Sequence, residues 1–265
     1  MSHFTVAVIT EGKPTYETIE KVLAPYQEDC PTEFMEFYSA TKNHTEEYEN
    51  ETEDIKAKYP TLNKYLEEYC GYRYHEEQND YGYWENPNAK WDWWIIGGRW
   101  AGLLTVSESN KNFIVGQPSL FGSNENPYQV KNGYMHVDCA RVKDLVFPNR
   151  EKSYEQAIRF WEMKVEGKEP TTEEEKELLK WDFYKVEYYT RTYKDKETYA
   201  QCESTFHTYA IIDKDGRWNA KGEMGWWGIS TSDEGVEVQY IKYYRKYVFD
   251  NATDNDYITI VDCHI

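Results

Sequence analysis

The chain lacks any apolar run approaching the roughly 18 residues of a membrane-spanning helix, so a partner membrane is not expected. It also lacks a Cys-x-x-Cys pair. Its cysteines, Cys30, Cys70, Cys139, Cys202 and Cys263, are odd in number and scattered, which excludes a disulfide-stapled scaffold. No charged-then-apolar leader follows Met1, and the expected compartment is a reducing cytoplasm. Positive charge is scarce: 30 basic against 48 acidic residues leave a formal charge of −18. A surface of that sign repels a phosphate backbone, so no nucleic-acid polymer is expected as partner. A small anion in a local basic pocket, or a protein with a positive surface, stays open. Also missing are a Walker loop, a Gly-x-Gly-x-x-Gly turn, a Gly-x-Ser-x-Gly elbow and a His-x-x-x-His spacing. Neither cofactor nor metal is therefore expected, and the balance leans away from an enzyme.

What the chain has in abundance is aromatic rings, 17% of its residues, with 25 Tyr and 10 Trp. At a mean hydropathy of −0.90, much of its packing material carries a polar tip. The densest stretch is 86–105, with four tryptophans and the pair Gly97-Gly98 between two apolar runs. It reads as a β-hairpin with a tight glycine turn, since two residues without Cβ can both take φ > 0. Alternation places Trp91, Trp93 and Ile95 on one side, Asp92, Trp94 and Ile96 on the other. An indole stacks on a nucleobase for about 1–3 kcal/mol without reading its edge. Arg99 offers a planar fork for phosphate oxygens, Lys90 a point charge, and the glycines would let backbone N–H groups approach an anion. Candidate ligand-binding residues are thus Lys90, Trp91, Trp93, Arg99 and Trp100. Glu223, Trp226 and Trp227 join them from the second tryptophan-glycine stretch, 222–228. The competing reading is structural: rings in the core and Arg99 paired with Asp92.

Along the chain, 3–10 reads as an apolar strand and 15–23 as a helix that Pro25 ends. Residues 28–60 form an acidic surface insertion, and 62–69 a helix. Tyr154, Ile158, Trp161 and Val165 make one helical stripe. Thr172 with Glu175 opens a second helix, whose stripe is Leu179, Phe183 and Val186. Strands return at 206–213 and 257–261, with a helix at 235–249 between them. The expectation is one α+β domain with an antiparallel or mixed sheet that includes both terminal strands.

Asp262, Cys263 and His264 form a tempting trio, but on a strand Asp262 and His264 share one face and Cys263 takes the other. A Cys-His nucleophile within the tripeptide is geometrically disfavoured. Asp262 and His264 are the alternative catalytic pair, or with His3 from a neighbouring strand a metal or ligand contact.

The opening Met-Ser-His-Phe-Thr-Val, the central Asn-Pro-Asn-Ala-Lys-Trp-Asp-Trp with Ile-Gly-Gly-Arg-Trp, the later Gly-Glu-Met-Gly-Trp-Trp-Gly and the closing Val-Asp-Cys-His-Ile resemble a family of uncharacterised bacteriophage and bacterial proteins. The landmarks run in order along the whole chain, with Trp94 in place of the family's tyrosine. The resemblance implies a phage protein acting in the cytoplasm of a host bacterial cell, in the contest with host defence. Three functions follow. The first is a binding protein, or sponge, that sequesters a nucleotide-derived immune signal such as a cyclic dinucleotide or a cyclic ADP-ribose-like molecule. The second is a phosphodiesterase or other hydrolase acting on that signal through Asp262 and His264. The third is an acidic inhibitor of a nucleic-acid-binding defence protein. Self-association into a homo-oligomer is a further partner class left open.

Overall fold

A computed structural model describes residues 2–119, 126–180, 182–224, 230–231 and 235–265. The fold is α+β, with a mixed sheet that contains both terminal strands. The chain forms two compact units, residues 1–22 with 93–265, and residues 23–92.

The larger unit is built on the opening strand His3–Glu11, apolar on both faces as a central strand requires. It pairs antiparallel with the closing strand Asp256–His264 over nine positions, from His3 opposite His264 to Glu11 opposite Asp256. On its other edge it pairs parallel with Ala210–Ile212, which carries Trp218–Ala220 outside it. The free edge of the closing strand takes two short strands end to end. Cys139–Arg141 lies opposite Tyr257 to Thr259, and Trp93–Gly98 opposite Val261 to His264.

One face of this sheet, with Ala7, Ile9, Ile211, Ile258 and Ile260, is covered by helices Arg150–Lys164, Lys196–Ser204 and Val236–Tyr244. Ala157, Phe160 and Trp161 sit at the centre of that core, and Tyr154, Ile158 and Val165 widen the stripe. The other face carries Val6, Val8, Thr259, Val261 and Cys263, all buried. There the ring of Tyr16, from helix Tyr16–Leu23, stacks on Trp94 at 5.0 Å.

Two expectations need correction. Helix Glu173–Lys180 stops before Phe183, which is 84% exposed. The Asp182 carboxylate accepts the Tyr184 N–H at 3.0 Å and the Tyr189 hydroxyl at 2.6 Å, a local turn that competes with helix continuation. Thr172 does cap the helix, accepting the Glu175 N–H at 3.2 Å, while the Glu175 carboxylate reaches back to Thr171. The glycine hairpin does not form either. Gly97 (φ 84°) and Gly98 (φ 56°) turn the chain, but successive turn bonds from Trp100 to Gly97, Ala101 to Gly98 and Leu103 to Trp100 roll it away from its own edge. The next strand, Leu104–Ser107, pairs instead with Tyr134–Val137 in a separate two-stranded sheet.

The smaller unit holds a three-stranded antiparallel sheet in the order Glu36–Ser39, Asp80–Glu85, Arg73–His75. The acidic stretch supplies its first strand and helices Ala40–Glu49 and Glu53–Lys58, around a core of Ala40, Tyr59, Tyr65 and Leu66.

Candidate functional site

Two aspartates that open onto the glycine pair organise the end of the large sheet. Asp262 is 1% exposed, on the face it shares with His3 and His264. One of its oxygens accepts a hydrogen bond from His3 Nδ1 at 2.8 Å, and the other accepts the Arg99 backbone N–H at 2.8 Å. Because a carboxylate can only accept here, it fixes the His3 tautomer with the proton on Nδ1 and leaves Nε2 as the basic nitrogen. The His264 ring stands edge-on to His3 at 4.9 Å between centroids. Trp93, cross-strand from His264, stands edge-on to His3 at 6.3 Å and is 48% exposed. A buried carboxylate therefore holds one imidazole and the root of Arg99 together, beside a second imidazole and a half-exposed indole.

Asp138 does the same work one residue earlier in the turn. It is fully buried, and its oxygens accept the Gly102 N–H at 2.6 Å, the Gly116 N–H at 2.6 Å and the Tyr128 hydroxyl at 2.7 Å. Burial pushes its carboxyl above the usual range against these three donors, and burial together with this carboxylate pushes the Tyr128 phenol up. The two glycines lie between the carboxylates. A Cβ on Gly97 would stand 2.8 Å from an Asp138 oxygen, and one on Gly98 2.3 Å from an Asp262 oxygen. This corrects the expected role of the pair. The N–H groups around it, those of Arg99, Gly102 and Gly116, are already spent on the chain's own carboxylates, and the glycines make room for them rather than for an outside anion.

Of the sequence candidates, the structure brings Trp93, His3 and the backbone of Arg99 together with Asp262 and His264. The Arg99 side chain is exposed and makes no ion pair among the described residues. Trp91 is 2% exposed, tilted against Tyr26 inside the smaller unit, and cannot serve as a stacking surface. The sequence placed it on one face with Trp93, yet the regular strand begins only at Trp93. Lys90 is exposed in that same unit, its backbone N–H donating to the Tyr26 carbonyl at 2.7 Å. Trp100 is half-buried against the large core. Glu223 is exposed in the two-residue strand Glu223–Met224, and Trp226 and Trp227 lie outside the described residues.

Cys263 points to the opposite face, opposite Phe4 and Trp94, where burial pushes its thiol well up and keeps it protonated. Among the described residues no group of three His, Cys, Asp or Glu side chains could hold a metal ion. With both Asp262 oxygens engaged, the cluster suits anion and ring recognition or proton transfer through His3 Nε2. Sequence reasoning passed over Asp138, although the signal was there: Val137-Asp138-Cys139 repeats Val261-Asp262-Cys263, and both aspartates close on the same glycine pair. Comparison with known proteins finds no matching family model, no matching curated protein and no matching solved structure.

Proposed function

We propose that the chain is a phage-type anti-defence protein that sequesters a small nucleotide-derived immune signal, a cyclic dinucleotide or a cyclic ADP-ribose-like molecule, at the sheet end around Trp93 and Arg99. The observation that carries this reading is the exposed Arg99 side chain, without an ion pair among the described residues, in a chain of net charge −18. Its backbone is pinned to the carboxylate that also holds His3 beside the half-exposed Trp93. An unneutralised guanidinium whose backbone is anchored in a hydrogen-bonded turn suits a phosphate, and the half-exposed indole of Trp93, beside His3, suits a base. No helix among the described residues is long and apolar enough to cross a membrane.

Isothermal titration of the purified chain with cyclic dinucleotides and cyclic ADP-ribose-like compounds tests the reading. Arg99→Ala should weaken binding by about 10- to 100-fold, from the ~1.5–3 kcal/mol of a charged hydrogen bond. Trp93→Ala should weaken it by a similar factor through lost stacking, ~1–3 kcal/mol. Binding unaffected by both substitutions, or absent for every compound, overturns the proposal.

One observation favours a hydrolytic second reading: the 2.8 Å hydrogen bond from His3 to a buried aspartate is the geometry of an oriented general base. Ligand recovered unchanged after denaturation supports sequestration. A product that disappears with His3→Ala or His264→Ala supports hydrolysis.

A further inference from the structure

In the large unit, the turn at 147–150, the residues that follow helix Lys196–Ser204 and the helical segment Arg245–Asp250 border two adjoining hollows of about 240 and 130 Å³. The hollows share Phe147, Arg150, Thr205 and Phe206 and are parts of one recess. The Phe147 carbonyl accepts the Arg150 N–H at 3.1 Å, which closes a four-residue turn through Pro148 and sets Arg150 beside Phe147. The Phe147 ring meets Phe206 at 5.6 Å and Phe249 edge-on at 5.5 Å between centroids, and both of those rings pack on the main core. One wall of the recess is therefore aromatic and braced from behind.

Its charge is unlike the rest of this acidic chain. Arg150 lines both hollows, and Arg245 lines the smaller one. Elsewhere guanidiniums hold carboxylates at hydrogen-bond distance: Arg141 with Asp144 at 2.9 Å, Arg159 with Glu175 at 2.6 Å and Arg217 with Asp213 at 3.0 Å. The exposed Arg150 side chain makes no ion pair or hydrogen bond among the described residues. Arg245 stands 3.7 Å from Asp250, too far for a hydrogen bond. Two arginines against the one carboxylate of Asp250 leave the smaller hollow net positive, although the chain offers 48 acidic side chains to neutralise it. Glu203 lines only the larger hollow, so a ligand's anionic group is favoured at the Arg150 and Arg245 end. At the ~30 Å³ that a water occupies in the liquid, the smaller hollow has room for about four non-hydrogen atoms and the larger for about eight. The first suits a carboxylate and the second a flat ring system.

We infer that this recess is a second ligand site, which takes a small aromatic carboxylate with its anionic group between Arg150 and Arg245 and its ring along Phe147 and Phe206. It shares no residue with the Arg99 cluster, so either site can fail without the other.

The test uses the full chain and two probes of the same shape, indole-3-carboxylate and the neutral indole-3-carboxamide, with ligand-observed NMR as the readout. The carboxylate should bind saturably and about 10- to 100-fold tighter than the amide, the factor expected of a charged hydrogen bond. Arg150→Met and Arg245→Met, which keep the unbranched stem and remove the charge, should each cut that preference severalfold or more while leaving amide binding within about twofold. Ser153→Trp, at the wall of the larger hollow, should weaken both probes about tenfold by filling the space the ring would take. Arg99→Ala should change neither probe, which separates this site from the one proposed above. Absence of saturable binding, equal affinity for the two probes, or carboxylate binding that survives both methionine substitutions in chains that melt cooperatively overturns the inference, as does its loss with Arg99→Ala.

Discussion

Replacing Gly98 with alanine should be far more damaging than replacing another glycine of similar backbone conformation, and Gly133 provides the comparison. Both have positive φ, 56° and 79°, so each Cβ carries the left-handed penalty of about 1–2 kcal/mol. At Gly133 that is all, because nothing lies within 4 Å of the new atom. At Gly98 the Cβ would stand 2.3 Å from an Asp262 oxygen and 2.4 Å from Asp262 Cβ, a position that cannot be relieved by rotating a long flexible side chain. Asp262 must move, and the His3 Nδ1–H and the Arg99 N–H lose their acceptor. Each orphaned donor costs about 1–3 kcal/mol, which brings Gly98→Ala to about 5 kcal/mol. At ~2–4 °C per kcal/mol for a body of this size, calorimetry should show melting lowered by about 10–20 °C for Gly98→Ala and by only a few degrees for Gly133→Ala. Equal losses in the two variants would refute the carboxylate clamp.

Two further outcomes follow from the same contacts. Asp138→Ala should destabilise the large unit by at least about 3 kcal/mol because it strands two N–H groups and the Tyr128 hydroxyl, and urea unfolding would show a loss below 1 kcal/mol if these bonds matter little. The Arg159 guanidinium holds the Glu175 carboxyl down at about 2. A folded pKa below the ordinary value stabilises above that ordinary value, so the contribution should disappear as pH falls from about 4.5 toward 2, and an NMR titration midpoint near 4 would rule it out.

Much of the fold was legible because its strands and helices bury opposite patterns. Residues 3–10 and 257–261 are apolar on both faces, which only a central strand satisfies, and Tyr154, Ile158, Trp161 and Val165 repeat at the period of a helix. The glycine pair was harder. Two adjacent glycines signal positive φ without saying why it is needed, and here the cause is a pair of carboxylates more than 35 residues away in the sequence. The fates of Trp91 and Trp93 could not be separated by alternation. Trp91 belongs to the smaller unit's packing, and Trp93 begins a strand whose far neighbours are His264 and His3. Periodicity also overran at Phe183, because it does not register a carboxylate such as Asp182 that diverts the backbone.

The nine-rung pairing of the opening and closing strands has a consequence for the timing of assembly. Residues 3–11 leave the ribosome before their partners at 210–212 and 256–264, which follow only after some 200 further residues. Until then this apolar segment is without neighbours, and a holdase would find it the natural place to grip. The imidazole of His3 and the carboxylate of Asp262 meet only once residue 262 has been made, so a chain cut after residue 253 would lose the closing strand of this sheet together with the site that strand carries.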